Sequence, residues 1–121
     1  MESIAGRWDV VMKTPVGSMR AIYQFDAHDG AITGSATGKH ETVALADIAV
    51  REYDHETEVT WRQTITKPMR LNLTFVVRIA GDRMSGESRA GRLPRSEVSG
   101  VRDRHQSSIE TNPRRSRGDT D

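Results

Sequence analysis

Few side chains in this sequence are equipped for catalysis, and their spacing works against them. The four histidines, His28, His40, His55 and His105, lie far apart and form no His-x-His pair, the spacing that would put two imidazoles on one face of a strand. A closed metal site is therefore not expected. The stretch Gly86-Glu87-Ser88-Arg89-Ala90 lacks the last glycine of a nucleophile elbow and reads as a strand, whereas the elbow needs a strand-to-helix turn. No Gly-x-Gly-x-x-Gly run or Walker loop occurs. With no cysteine in the chain, thiolate chemistry and disulfides are excluded. Proton transfer would fall to Tyr23, Asp9 or Glu87, of which Tyr23 alone sits on an inward phase. The sequence identifies no catalyst and calls for no cofactor.

Side chains suited to holding a molecule are better represented. Trp8, Trp61, Tyr23, Phe25 and Phe75 share inward phases with Met12, Met19, Met69 and Met84. Flexible thioethers suit an adaptable apolar pocket, and they fill an irregular core equally well. Tyr23, Gln63 and Ser88 also fall on inward phases. Each then needs a hydrogen-bond partner at a cost of about 1–3 kcal/mol if none is found, whether from a neighbour, a buried water or a ligand. The candidate ligand-binding set is Trp8, Met19, Tyr23, Trp61, Gln63, Phe75 and Ser88 inside, with Arg92 and Arg95 at the rim.

These residues are positioned by strands. Apolar side chains recur with period two, which places them on one face of an extended chain, and no helical period is sustained. Eight strands are expected, over 7–13, 18–26, 31–37, 42–52, 57–66, 69–80, 83–90 and 95–102. Asp29-Gly30 is a strong hairpin dipeptide. Thr14-Pro15, Lys67-Pro68, Gly81-Asp82 and Gly91-Arg92-Leu93-Pro94 break the chain as proline and glycine do. In 42–52 the apolar phase slips between Val43/Leu45 and Ile48/Val50, which predicts a bulge near Ala46-Asp47. A weak internal repeat, from Thr14-Pro15 through Met19-Arg20 to Gly34 and again from Thr66 through Met69-Arg70 to Gly86, recurs after about 50 residues.

Composition sets the outer bounds. A chain of 121 residues fits one domain, here residues 1–102. Residues 103–121 are polar apart from Ile109 and are expected to form a disordered tail, having too little apolar surface to offset ordering entropy. Eighteen basic against seventeen acidic residues leave a formal charge of +1, which provides no field for nucleic acid. No basic leader with an apolar run and no apolar stretch of about 18–20 residues is present, so neither secretion nor a membrane partner is expected and the chain reads as cytoplasmic. Fifteen arginines against three lysines fit a GC-rich bacterial genome. A homodimer is left open.

Sequential hairpins with one apolar face can close into an all-β, antiparallel up-and-down barrel, which removes exposed strand edges; a two-sheet sandwich is the rival. Gly6-Arg7-Trp8 at the first strand, followed by a short meander with Gly30-Ala31-Ile32-Thr33-Gly34, resembles the calycin superfamily of streptavidin-like and lipocalin-like barrels. The resemblance implies that the Trp8 indole closes one end and that the barrel holds a small apolar ligand. The biotin-binding side chains of the streptavidin-like barrels have no counterparts here.

Connectivity then distinguishes the two ends. The first, third, fifth and seventh loops carry Pro15, Lys39, His40, Lys67, Pro68, Arg92, Pro94 and Arg95, whereas the others carry Asp26, Asp29, Asp54, Glu56 and Asp82 on tighter turns. The basic, longer-looped end is the expected mouth, suited to an anion. Three functions remain open: a barrel binding a small apolar or amphipathic molecule, a cofactor-independent isomerase, cyclase or hydrolase using the same cavity, and a protein interaction module.

Overall fold

Alternation of apolar and polar residues is realised as nine strands in one antiparallel sheet that curls into a nearly closed barrel. A computed structural model describes residues 4–14, 17–66 and 69–103. Residues 104–121 of the expected disordered tail, and Pro15, Lys67 and Pro68 of the expected rim, lie outside them. The strands are β1 (Gly6–Thr14), β2 (Gly17–His28), β3 (Ala31–Thr37), β4 (Thr42–Ala44), β5 (Ala46–Glu52), β6 (Thr57–Ile65), β7 (Leu71–Ala80), β8 (Arg83–Arg89) and β9 (Ser96–Arg102). No helix among the described residues is long and apolar enough to cross a membrane.

The strand order β4-β3-β2-β1-β9-β8-β7-β6-β5 shows how the ring closes. Its two edges, β4 and β5, are successive pieces of the run expected as a single bulged strand over 42–52. That run must leave β3 and join β6, so it breaks where the apolar phase slips. Leu45 donates its backbone N–H to the Gly34 carbonyl (2.9 Å), Asp47 takes a left-handed conformation (φ 54°), and the register with β6 shifts between Ala46 and Ala49. The predicted bulge is thus a strand break, which makes nine strands of eight. Arg62 holds the Asp47 carboxylate at 3.2 Å across the irregularity.

Inward residues of β1, β2, β3, β6, β7, β8 and β9 meet in one core containing Trp8, Val10, Tyr23, Phe25, Ala36, Val59, Trp61, Phe75, Val77, Ile79, Met84 and Val98, against which Val43 of β4 and Ile48 and Val50 of β5 are partly buried. The expected register of β6 and β7 is observed: Trp61 and Phe75 are buried, and Arg62 and Arg70 are exposed. Two glycines permit the tight curvature. A Cβ on Gly34 would lie 2.9 Å from Leu45 Cδ1 and 3.0 Å from Phe25 Cδ1, and one on Gly86 would overlap the Val76 carbonyl oxygen on the neighbouring strand.

Met19 and Met69, expected inside, are 43% and 60% exposed. Met19 pairs with Met12 just short of the β1–β2 hairpin tip, and Met69 precedes β7. Inward phase near a strand end reaches past the core to the rim, so alternation alone overstates their burial.

Candidate functional site

An even number of traverses, counting β4 and β5 as one, returns the chain to the end where it began. Ile4, Arg7, Arg102 and Asp103 therefore gather with the turns at 29–30, 53–56 and 81–82. This end is shut. Trp8 is wholly buried and donates its indole N–H to the Ile4 carbonyl (2.8 Å). The Arg102 guanidinium lies over the Trp8 ring, 4.4 Å from its centroid, the arrangement in which a cation meets the negative face of an aromatic ring. Arg102 also binds the Asp82 carboxylate (2.8 Å) and the carbonyls of Ala5 and Gly81, and its backbone N–H donates to the Asp82 carbonyl (2.9 Å). The last strand is thereby pinned to the first residues of the barrel. The acidic turns around Asp82 and Glu56 find basic partners here, Glu56 with Arg78.

Above this plug the barrel is filled by its own aromatics. Trp61 stacks on Phe75 with centroids 4.9 Å apart, Phe25 meets Trp61 edge-on at 5.3 Å, and Tyr23 lies 5.6 Å from Trp61. One polar residue organises the layer. Gln63 Oε1 accepts hydrogen bonds from the Tyr23 hydroxyl (2.8 Å) and from the Trp61 indole N–H (2.9 Å). Burial pushes the Tyr23 phenol well above its ordinary value, and the bond to Gln63 offsets only part of that rise. Tyr23 is therefore a neutral donor holding the core together. Ser88, on β8, donates to the Met12 sulfur at 3.3 Å.

Towards the opposite end, with the turns at 38–41 and 90–95 and with Thr66, Met69 and Arg70, packing loosens. Met12, Ala21, Val43, Ile65, Leu71 and Ala90 face inward but remain partly exposed around the edge of the core. Across part of this rim, the Glu41 carboxylate accepts from the Thr66 backbone N–H (2.8 Å) and hydroxyl (2.6 Å), tying the loop after β3 to the loop after β6. Lys39, His40, Arg92 and Arg95 are exposed at this end. Arg95 pairs with Glu87 at 3.2 Å, and Arg92 has no ion-pair partner among the described residues.

Of the candidate set, Trp8, Tyr23, Trp61, Gln63, Phe75 and Ser88 are buried, but they do not surround one common space. Trp8 belongs to the closed end, and the aromatics of the middle layer contact one another. Gln63 and Ser88 sit where the filled layer gives way to the loose end. Met19, Arg92 and Arg95 are exposed. Ile4 and Arg102 escaped sequence reasoning: Ile4 precedes the first strand, and Arg102 ends the last one with no local signal that it would fold over Trp8. Of the half-buried ring, Val43, Ile65 and Leu71 lie at or next to strand ends, where inward phase alone does not imply full burial, but Met12 and Ala21 lie further in and carried no such signal.

A concavity of about 410 Å³ lies on the outer wall where β2, β1, β9 and β8 run side by side. Its lining includes Val11, Val101, Ser85 and Arg83, and the Asp9–Arg20 ion pair (3.0 Å). It faces open solvent, and its polar side chains, Asp9, Arg20, Arg83, Ser85 and Ser99, are the outward residues of neighbouring strands on the exposed face of the sheet.

No protein-family model, curated protein or solved structure matches this chain. The structure is an antiparallel, nearly closed β-barrel of a shape compatible with the calycin resemblance.

Proposed function

We propose that the barrel binds a small, largely apolar molecule at its open end, with an anionic group of that molecule at the basic rim. One observation carries the reading: at the closed end Ile4, Trp8, Phe25 and Ile79 are fully buried and partial exposure among the apolar residues packed on the core is confined to Ile32, Ile48 and Val50 along the β3–β5 seam, while at the other end Met12, Ala21, Val43, Ile65, Leu71 and Ala90, from six strands and loops, stay partly exposed. An inward ring of apolar side chains facing water loses stabilisation of about 25 cal/mol for each Å² left uncovered, and an apolar ligand would recover it. The ligand body rests on the Trp61–Phe75–Tyr23 layer as a floor, so it occupies the mouth and the aromatics support it from below. Arg92, Arg95 and Lys39 favour an anion at the rim, where low-dielectric walls focus their potential.

The test is titration of intrinsic tryptophan fluorescence with decanoate and with decanamide, in the wild type and in Arg92→Gln/Arg95→Gln. Saturable binding of both, tighter for the acid, with the difference removed in the double variant, supports the reading. Absence of saturable binding by either contradicts it, and equal affinity for acid and amide removes the anion.

A further inference from the structure

We infer that the inner end of the molecule lodged in the mouth carries a neutral hydrogen-bond acceptor, a ketone, ester or similar carbonyl oxygen, which accepts from the side-chain amide of Gln63. The inference rests on the mouth reading above and names the chemistry at its floor.

The orientation of the Gln63 amide follows from its neighbours. An indole N–H can only donate, so the Gln63 atom 2.9 Å from Trp61 Nε1 is the carbonyl oxygen. That oxygen also receives the Tyr23 hydroxyl at 2.8 Å, which occupies both of its lone pairs. The amide nitrogen, with two N–H donors, then points away from both aromatics, and it has no hydrogen-bond partner among the described residues. Gln63 is only 6% exposed. Its amide nitrogen is not among the fully buried atoms, so this remaining exposure leaves the two unpaired N–H groups within reach of the mouth, where a bound molecule can take them up.

Its surroundings define what would satisfy it. Gln63 lies opposite Leu73 on β7, and the next inward pair towards the closed end is Trp61 with Phe75. Ile65 and Leu71, the following pair towards the rim, belong to the half-buried ring. The amide therefore stands at the boundary between filled core and open mouth. Ser88, opposite Phe75 on the other side of β7, is 2% exposed, and its hydroxyl donates to a thioether, a weak acceptor that a stronger one can displace. Two donors thus border the floor of an otherwise apolar mouth. No lysine or arginine is among the buried residues of the described chain, so a carboxylate at this depth would be desolvated without a compensating cation among them. A neutral carbonyl needs none. The rim cations act on the other end of the molecule, some strand residues further out.

The experiment compares 2-nonanone with 2-methyl-1-nonene, in which a CH₂ group replaces the carbonyl oxygen, on the full chain by tryptophan fluorescence. It also follows the Gln63 side-chain N–H resonances by NMR. Both probes bind the wild type, the ketone moves the Gln63 amide resonances and the alkene does not. The ketone-to-alkene affinity ratio falls roughly ten-fold in Gln63→Leu, as loss of one hydrogen bond to an otherwise unpaired donor requires. Because Gln63→Leu also strips Tyr23 and Trp61 of their acceptor, the wild-type resonances provide a readout that does not depend on that variant folding. If both probes bind but the amide resonances stay still under ketone, or the ratio is unchanged in the variant, the carbonyl inference is overturned while the mouth reading stands. If neither probe binds the wild type, both fall.

Discussion

Replacing Gln63 with Leu tests whether one side chain organises the aromatic layer. Leucine is close in volume, so the change removes an acceptor with little cavity. What it leaves behind is two buried donors, the Tyr23 hydroxyl and the Trp61 indole N–H, both of which bond to Gln63 Oε1. Each orphaned donor costs about 1–3 kcal/mol, so the variant should lose roughly 2–6 kcal/mol before the gain from leucine's extra apolar surface. A net loss of about 3 kcal/mol is expected, a large share of the roughly 5–15 kcal/mol typical of small domains. Tyr23→Phe alone should cost only about 1 kcal/mol, because Gln63 keeps its bond to Trp61 and the ring contacts remain. Adding Tyr23→Phe to Gln63→Leu removes one stranded donor, so the two changes should couple favourably by about 1–2 kcal/mol. Urea unfolding followed by tryptophan fluorescence measures all four corners of the cycle. A Gln63→Leu loss under about 1 kcal/mol with an unchanged denaturant slope, or strict additivity in the double variant, would refute the reasoning.

Phe75→Ala, in the buried stack with Trp61, should cost about 3–5 kcal/mol, whereas Arg70→Ala, on an exposed position, should change stability by under about 0.5 kcal/mol in the same unfolding assay. The raised Tyr23 phenol means that the folded state holds its proton above the ordinary value near pH 10, so its contribution is complete below about pH 10 and lost as pH climbs beyond it. Thermal melts from pH 9 to 11 should fall more steeply for the wild type than for Tyr23→Phe. Arg102→Met removes the cation over Trp8 and the bonds to Asp82, Ala5 and Gly81, and should speed amide hydrogen exchange in the first residues of β1 and the end of β9 before it affects β6 and β7. Gly86→Ala should prevent the tight approach of β8 to β7 and leave little folded protein by circular dichroism, while Gly38→Ala, with open space at its Cβ, should fold normally.

Strand positions were legible in the sequence wherever the alternation ran uninterrupted, as from Leu71 to Ala80, because period-two burial is imposed by the pleat itself. The same rule misplaced Met19 and Met69, since phase says which way a side chain points and not how far along the strand the core extends. The break at Leu45 left a trace as the slip between Val43/Leu45 and Ile48/Val50. That the run would change partners there, from β3 to β6, depends on closure of the ring, a non-local event with no sequence signal. Gln63 was readable as an inward polar residue needing partners. Its two donors, Tyr23 and Trp61, were readable too, but that all three meet at one oxygen is a matter of barrel stagger. Arg102 over Trp8 joins the two ends of the chain, and nothing in the local sequence of either foretells it.

The central claim is that the open end of the barrel, and not its filled middle or its outer wall, receives an apolar ligand. A methyl-resolved ¹³C NMR titration with decanoate tests it most directly. The account predicts saturable shifts at Met12, Ala21, Val43, Ile65, Leu71 and Ala90, with Ile4 and Ile79 near the closed end unmoved. Shifts confined to Val11 and Val101 on the outer wall, or no saturable shift at any methyl, would contradict it.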